Sequence, residues 1–259
     1  MIAGMDDTRA ATIVSDIVEG LRDVIRRHGV TYPEYRRAIG FVASAAERGE
    51  LPLLLDVLLE SVVDETAAAT PGTTDSNVEG PFFAAGAPEI AAGADGVAHL
   101  PMRPDEPGDR LIFTGAVRAT SGDPLAGAVL DVWQADGLGL YSRFAPGLPE
   151  WNLRGAVRPD ADGRFSFHTV RPAPYQIPHD GSTGALIEAA GWHAWRPAHL
   201  HLRVTAPGHR TLISQLYFSG GEYNDSDVAS AVKPELIITP TPTPEGGLTV
   251  TYDITLDRA

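Results

Sequence analysis

A helical N-terminal part followed by a β-sandwich is the fold class this sequence predicts, and three observations carry the reading. Apolar residues recur at helical spacing only up to Thr66. From Thr70 onward Pro and Gly multiply. The apolar segments after that point are short, many of them alternate, and no helical pattern separates them, which is the signature of a sandwich or barrel. We place the helices and their connecting loop in residues 1–95 and the sandwich in residues 96–259.

In the first helix Ile13, Val14, Ile17, Val18, Leu21, Val24 and Ile25 form the stripe, with Asp7 or Thr8 available as a cap and Gly29 as a stop. The second opens with Thr31-Tyr32-Pro33-Glu34, a capping box, continues through Tyr35, Ala38, Ile39 and Val42, and ends at Gly49. A third is predicted from about Leu53 to Thr66. Leu54, Leu55, Leu58 and Val62 lie on one side and Leu59 and Val63 beside them, an arc wide enough to need more than one partner surface.

Thr70 to Asp109 reads as a long ordered loop that carries Val78-Glu79-Gly80-Pro81-Phe82-Phe83. A loop of that length with so apolar a stretch points to function. Strands are predicted over 111–119, 128–135, 164–170, 198–206 and 211–219. The last strand alternates Leu248, Val250, Tyr252, Ile254 and Leu256 with Thr249, Thr251, Asp253 and Thr255. Thr239-Pro240-Thr241-Pro242-Thr243-Pro244 reads as a rigid extended surface segment.

Composition narrows the chemistry. A net charge of −14 argues against nucleic acid or an anionic membrane as partner, since both require clustered Lys and Arg. The absence of cysteine excludes disulfides, zinc–thiolate sites and iron–sulfur clusters, so any metal here must use N and O ligands. Residues 1–7 show no secretory signal, and the longest apolar run, Leu51 to Leu59, is too short to span a bilayer. A cytoplasmic protein is the expectation.

The most informative motif is Arg196-Pro197-Ala198-His199-Leu200-His201. On a strand, residues two apart share a face, so His199 and His201 aim at one point while Leu200, Leu202 and Val204 face the other way. Two imidazoles on a rigid strand make half of a metal site. Two half-buried histidines bonded to neighbours are the alternative, because the pair alone names no metal. No other histidine has a geometric tie to this pair: His28 falls on a helix, His99 in a loop, His168 on the polar face of a strand, and His179, His193 and His209 in turns. Tyr141, which follows Asp136-Gly137-Leu138-Gly139-Leu140, and Tyr175, stiffened by Arg171-Pro172-Ala173-Pro174, are better candidates, although a single tyrosine is more often an amphipathic core residue.

Taken together, Asp131-Val132-Trp133-Gln134-Ala135-Asp136-Gly137 with Tyr141, Pro174-Tyr175 and the Arg196–His201 run resemble the intradiol ring-cleaving dioxygenases. Val78–Phe83 and Ser214-Gln215-Leu216-Tyr217-Phe218 extend the likeness over nearly the whole chain, which is most similar to the catechol and chlorocatechol 1,2-dioxygenase branch. The resemblance implies one non-haem Fe(III) per subunit, held by Tyr141, Tyr175, His199 and His201 with a hydroxide as fifth ligand. Phenolates are hard anionic donors and suit ferric iron. It further implies that a catechol displaces the hydroxide and Tyr175, that Tyr175 takes a substrate proton, and that O2 cleaves the ring between its hydroxyls to give cis,cis-muconate. Arg196 is then a catalytic residue stabilising negative charge on the ring, with Gln215 beside it.

Val78, Gly80, Pro81, Phe82, Ile177 and Pro178 are the substrate-binding wall by the same likeness, together with Arg196 and the third helix. The subgroup signals diverge: Glu79 is similar to catechol enzymes, whereas Tyr175-Gln176-Ile177-Pro178 and Gly191-Trp192-His193-Ala194-Trp195 are similar to chlorocatechol enzymes. A hydroxyquinol 1,2-dioxygenase giving maleylacetate shares the Ile-Pro step. The partners implied are a catechol-type substrate, O2, a second copy of the chain paired through the helical part, and a phospholipid between the paired helices. A non-catalytic transthyretin-like binding module is the rival of another class, and it has no need of Tyr141 and Tyr175 at iron positions.

Overall fold

The computed structural model describes residues 7–67 and 70–259. Residues 1–6 and the Asp7 side chain lie outside that description, so the expected Asp7 cap does too. The chain divides into two compact units, Met1–Leu51 and Pro52–Ala259.

The first unit holds α1 (Asp7–His28) and α2 (Tyr32–Glu47). On α1 the predicted stripe from Ile13 to Ile25 is exposed along its length. Its polar face carries Glu19–Arg22, Glu19–Arg26 and Asp23–Arg26 pairs, whose contribution in water is small. At the start of α2 the Glu34 carboxylate accepts from both the backbone N–H and the hydroxyl of Thr31, at 2.8 and 2.6 Å, as the capping-box sequence requires.

The third helix differs from a simple continuous helix. It runs as α3 (Leu51–Leu55), a π-helical turn (Asp56–Glu60) and α4 (Ser61–Thr66). The wider turn shifts the apolar register. Leu54, Val57 and Ser61 are buried, while Leu55, Leu59, Val62 and Val63 of the predicted stripe are exposed.

Among the described residues fourteen strands follow. Two short ones, β1 (Glu89–Ile90) and β2 (Ala98–His99), lie in the stretch expected to be all loop. After them come β3 (Arg110–Ala119), β4 (Val129–Gln134), β5 (Arg154–Val157), β6 (Arg164–Val170) and β7 (Tyr175–Gln176). A short helix that the sequence reading did not anticipate, α5 (Ser182–Ala189), leads to β8 (Trp195–Arg196), β9 (His199–Thr205) and β10 (Leu212–Phe218). The chain ends with β11 (Ile237–Ile238), β12 (Thr241–Pro242), β13 (Leu248–Thr251) and β14 (Ile254–Leu256). The Thr-Pro tract thus supplies an edge strand, β12, which is exposed.

One sheet has the order β1-β5-β4-β9-β10-β11. The other runs β12-β13-β3-β6-β2, with β14 also on β3, and β7 pairs with β8 alone. Leu130, Val132, Leu200, Leu202, Val204 and Leu216 from the first sheet meet Leu111, Phe113, Phe165, Phe167, Val250 and Ile254 from the second in one buried cluster. The predicted last strand is broken at Tyr252-Asp253, where the Asp253 carboxylate accepts the Ala116 N–H at 2.8 Å in place of a ladder carbonyl. The face of the first sheet turned away from this core carries the residues described next.

Candidate metal centre and ring-binding site

Cross-strand pairing builds the site. Arg154 on β5 lies opposite Trp133 on β4, Trp133 opposite His201 on β9, and His201 opposite Gln215 on β10. His199 lies opposite Tyr217 one pleat along. Side chains directly opposite in a sheet share a face, so four adjacent strands deliver these groups to one side of the sheet. Trp133 stacks flat on His201, with ring centroids 4.6 Å apart and planes at 11°. Tyr141 follows the end of β4 in a turn organised by Asp136, whose carboxylate accepts from the Leu138 and Leu140 N–H groups. In the small ribbon, Tyr175 of β7 pairs directly with Arg196 of β8.

Three donor atoms of this set meet. The Nε2 atoms of His199 and His201 are 3.0 Å apart, and the Tyr141 hydroxyl lies 3.1 Å from His201 Nε2 and 3.5 Å from His199 Nε2. Donors about 2.1 Å from a common centre and roughly 90–115° apart are separated by about 3.0–3.5 Å, so the triangle has the edge lengths of a metal coordination sphere. His199 Nδ1 lies 2.8 Å from the Pro197 carbonyl, which fixes its proton there and leaves Nε2 as a lone pair. His201 Nδ1 is buried without a hydrogen-bond partner. The fourth predicted ligand, Tyr175, has its ring 5.2 Å from that of Tyr141 and 5.5 Å from that of His199. Among the described residues no group of three or more His, Cys, Asp or Glu is placed to hold a metal. A metal at this face therefore needs phenol oxygens, and two phenols with two neutral imidazoles fit ferric iron.

Burial sets the electrostatics. It pulls His199 down from the ordinary value to about 3 and His201 well below the histidine range, so both imidazoles are neutral donors. It pushes the Tyr141 and Tyr175 hydroxyls up, against the pull of the Arg196 charge on both. Arg196 is 3 % exposed and held by three side chains. It donates to Asp227 through Nε at 3.0 Å and Nη2 at 2.9 Å, and through Nη2 to Gln215 Oε1 at 3.0 Å and the Tyr217 hydroxyl at 3.1 Å. Gln215 in turn donates to the Val78 carbonyl at 2.7 Å.

A cavity of about 510 Å³ opens beside the two tyrosines, lined by Phe82, Tyr141, Tyr175, Ile177, Pro178 and Trp195 among others. Phe82 stacks on Tyr141 with centroids 4.3 Å apart. Of the predicted wall residues, Phe82, Ile177 and Pro178 line this cavity. Val78 packs with Ala229 and Ala231, Pro81 is exposed, and Gly80 lies beside the His201 and Gln215 side chains. With φ +71° and an added Cβ only 3.6 Å from His201 Cε1, Gly80 is a position where a side chain is strained and the approach to the imidazole is close. From the third helix, Val57 of the π-helical turn is buried in the Tyr141, Tyr175 and Ile177 cluster and Leu53 packs against it. A larger cavity, about 640 Å³, is lined by Val57, Trp192, His193 and Asp227 but by none of the four donors, and the convergence of donors rather than volume identifies the site.

Two residues here escaped the sequence reading. Asp227, the ion-pair partner of Arg196, sits in a loop with no motif to mark it. Arg154 belongs to the four-residue strand β5, too short to show alternation; a charged residue in Asn152-Leu153-Arg154-Gly155 carried no signal of burial.

Residues 78–258 match the family described as Dioxygenase, and residues 7–74 match the one described as Catechol dioxygenase N terminus. A chlorocatechol 1,2-dioxygenase of Rhodococcus opacus is 48% identical over 236 residues, 90% of this chain and 91% of that one. Another, from Pseudomonas sp. strain P51, is 38% identical over 97% of each chain. The crystal structure of 3-chlorocatechol 1,2-dioxygenase from Rhodococcus opacus 1CP superimposes with a TM-score of 0.92 at 43% identity, covering 98% of this chain and 100% of that one. Non-haem iron is the general cofactor of this group. With both family regions matched in sequence and a relative aligned over nine-tenths of its length, the chain belongs to the intradiol ring-cleaving dioxygenases.

Proposed function

We propose that this enzyme cleaves catechol and ring-substituted catechols with O2 to cis,cis-muconates, using one Fe(III) per subunit held by Tyr141, Tyr175, His199 and His201. The observation that carries the reading is the 3.0–3.5 Å triangle of Tyr141, His199 and His201 donor atoms, with Tyr175 beside it and a cavity along its edge. Bound ferric iron would supply Lewis-acid activation of the catecholate toward O2. Tyr175, as the phenolate that bound iron would require, would take a proton from a substrate hydroxyl at its oxygen, and its pairing with Arg196 keeps it at the cavity edge. Arg196, held by Asp227 and Gln215, offers fixed positive charge to the ring as it becomes electron-rich. Phe82, Ile177 and Pro178 hold the ring plane and exclude water.

Among catechols we favour chlorinated ones, supported by the name of the 48%-identical relative. Hydroxyquinol is the alternative substrate. The helical part and connecting loop, residues 1–95, serve dimerisation in this reading, because the exposed apolar stripe of α1 needs a partner. A phospholipid is the further occupant proposed for that face. Among the described residues no helix is long and apolar enough to cross a membrane.

The deciding experiment is O2 uptake by iron-loaded protein with catechol, 4-chlorocatechol and hydroxyquinol side by side. The expected result is a coloured protein with the highest kcat/KM on 4-chlorocatechol. A colourless protein, or one inert on all three, would overturn the assignment; highest kcat/KM on hydroxyquinol would overturn only the substituent preference.

A further inference from the structure

We infer that Arg154 is a positioning residue that clamps the Tyr141 turn to the Phe82 loop, and so sets the spacing between the metal centre and the wall against which the substrate ring lies. The inference rests on the reading of Tyr141 as an iron ligand. Arg154 is 1 % exposed, and its three side-chain hydrogen bonds all go to neutral oxygens on two separate loops. Nε donates to Ser142 Oγ at 2.8 Å and Nη2 to the Ser142 carbonyl at 3.0 Å, which holds the residue directly after Tyr141. Nη1 donates to the Phe82 carbonyl at 2.7 Å.

Only a planar fork with several fixed donors spans both loops in this way; a lysine ammonium at the end of a flexible stem does not. The anchor itself is rigid, since Arg154 stands opposite Trp133, whose ring lies flat on His201. The clamp therefore refers the Tyr141 turn and the Phe82 loop to the same sheet that carries the imidazoles.

The backbone on both sides is arranged for this contact. Leu153, immediately before Arg154, is 1 % exposed with φ +56°, and Arg143, immediately after Ser142, has φ +69°. Left-handed conformations are unfavourable for branched or long side chains and persist where the surroundings over-determine them. Here the Leu153 N–H is held by the Pro101 carbonyl at 2.7 Å, and Ser142 Oγ donates to the Asn152 carbonyl at 2.8 Å, closing a ring of bonds around the guanidinium. What the clamp controls is aromatic geometry. Phe82 stacks on Tyr141 at 4.3 Å and meets Tyr175 edge-on at 5.7 Å, so freeing the Phe82 carbonyl lets that ring move relative to both phenols.

The test uses Arg154→Lys, Arg154→Met and Ser142→Ala, each as the full chain. In iron-free protein, amide hydrogen exchange over residues 80–84 and 141–145 is expected to accelerate about tenfold or more, with β3, β6 and β9 unchanged. In iron-loaded protein, colour is retained but the visible band shifts, and the ratio of kcat/KM for catechol and 4-chlorocatechol changes roughly 10-fold, the size of a methylene-scale change in a pocket wall. The lysine variant keeps its iron but not the wild-type ratio. Wild-type exchange, band and ratio in the lysine variant would overturn the clamp, as would acceleration spread evenly over the sandwich. Should the arginine variants fail to fold, Ser142→Ala, which removes one bond of the clamp, decides on the same three readouts. A wild-type protein that takes up no coloured iron sinks the ligand reading alone, and the local exchange result still judges the clamp.

Discussion

Removing the Tyr141 hydroxyl takes away one corner of a triangle whose other corners are the two Nε2 atoms, 3.0 Å apart. Phenylalanine keeps the stacking on Phe82 but offers no donor, so Tyr141→Phe is expected to lose most bound iron and the visible band, measured by metal analysis and absorption. Full iron and full ring cleavage would remove Tyr141 from the ligand set. Asp227 is the residue on which Arg196 depends. Burial pushes its carboxyl up, but the charge and hydrogen bonds of Arg196 outweigh that, and the net value lies below the ordinary carboxylate range. A carboxylate lowered in the folded state stabilises the fold above its unfolded value, and that contribution is lost as pH falls through the folded one. Asp227→Asn should therefore lower the urea midpoint at neutral pH, with the difference from wild type narrowing on acidification. Its iron should stay bound while kcat falls, and Arg196→Ala should fall further, by roughly 10²-fold. A constant stability difference across pH would count against the ion pair, and unchanged kcat in both variants against any role for Arg196 in the reaction.

Strand pairing explains why residues far apart in sequence act together: β5, β4, β9 and β10 bring Arg154, Trp133, His201 and Gln215 into one row. The pairing of β7 with β8 places Tyr175 beside Arg196, and the Pro197-Ala198 step then leads into β9. The wall is assembled from shorter pieces. Ile177 follows β7 and is 2 % exposed in the cluster of Tyr141, Tyr175 and Val57. Ile177→Ala is expected to raise kcat/KM for 4-chlorocatechol relative to catechol, by an amount equivalent to about 1–3 kcal/mol, with colour retained. Val78→Ala should instead cost about 1–3 kcal/mol of stability through its packing on Ala229 and Ala231, and leave the ratio nearly flat. A ratio that moves with Val78 and not with Ile177 would reverse this assignment of the wall.

The candidate site lies within one of the two compact units. Every donor of the proposed iron site, with its supporting Arg154, Asp227 and Gln215, belongs to Pro52–Ala259. Met1–Leu51 instead presents α1, where Ile17 is 57 % and Leu21 61 % exposed in the single chain. An apolar stripe of that extent is unfavourable in water and calls for a second surface. Replacing Ile17 and Leu21 together by Glu is expected to convert a dimer to a monomer in sedimentation, with iron and its band retained. A wild-type chain that sediments as a monomer would refute dimerisation through this face. Loss of iron in the double variant would show that the units do not act separately.

Much of this protein was legible in its sequence, because the signals concerned are local. Helical spacing up to Thr66, the Thr31–Glu34 box and the His-x-His alternation on β9 each depend on a few neighbouring residues whose geometry the backbone dictates. The order of Tyr141, Tyr175, His199 and His201 is not a local signal of this kind, and it suggested a ligand set only through the resemblance to the intradiol ring-cleaving dioxygenases. The tertiary structure decided what sequence spacing cannot carry. The π-helical turn at Asp56–Glu60 shifted the buried face of the third helix to Leu54, Val57 and Ser61, a register that ordinary helical periodicity does not contain. Val78 went to a small cluster of its own and Gly80 to the side of His201, since a loop without periodicity does not specify its own contacts. Arg154 and Asp227 became part of the site only through contacts across long sequence separations: strand pairing puts Arg154 in line with His201, and a salt bridge ties Asp227 to Arg196. A buried charge is marked by its partners, and partners are fixed only when distant strands and loops come together.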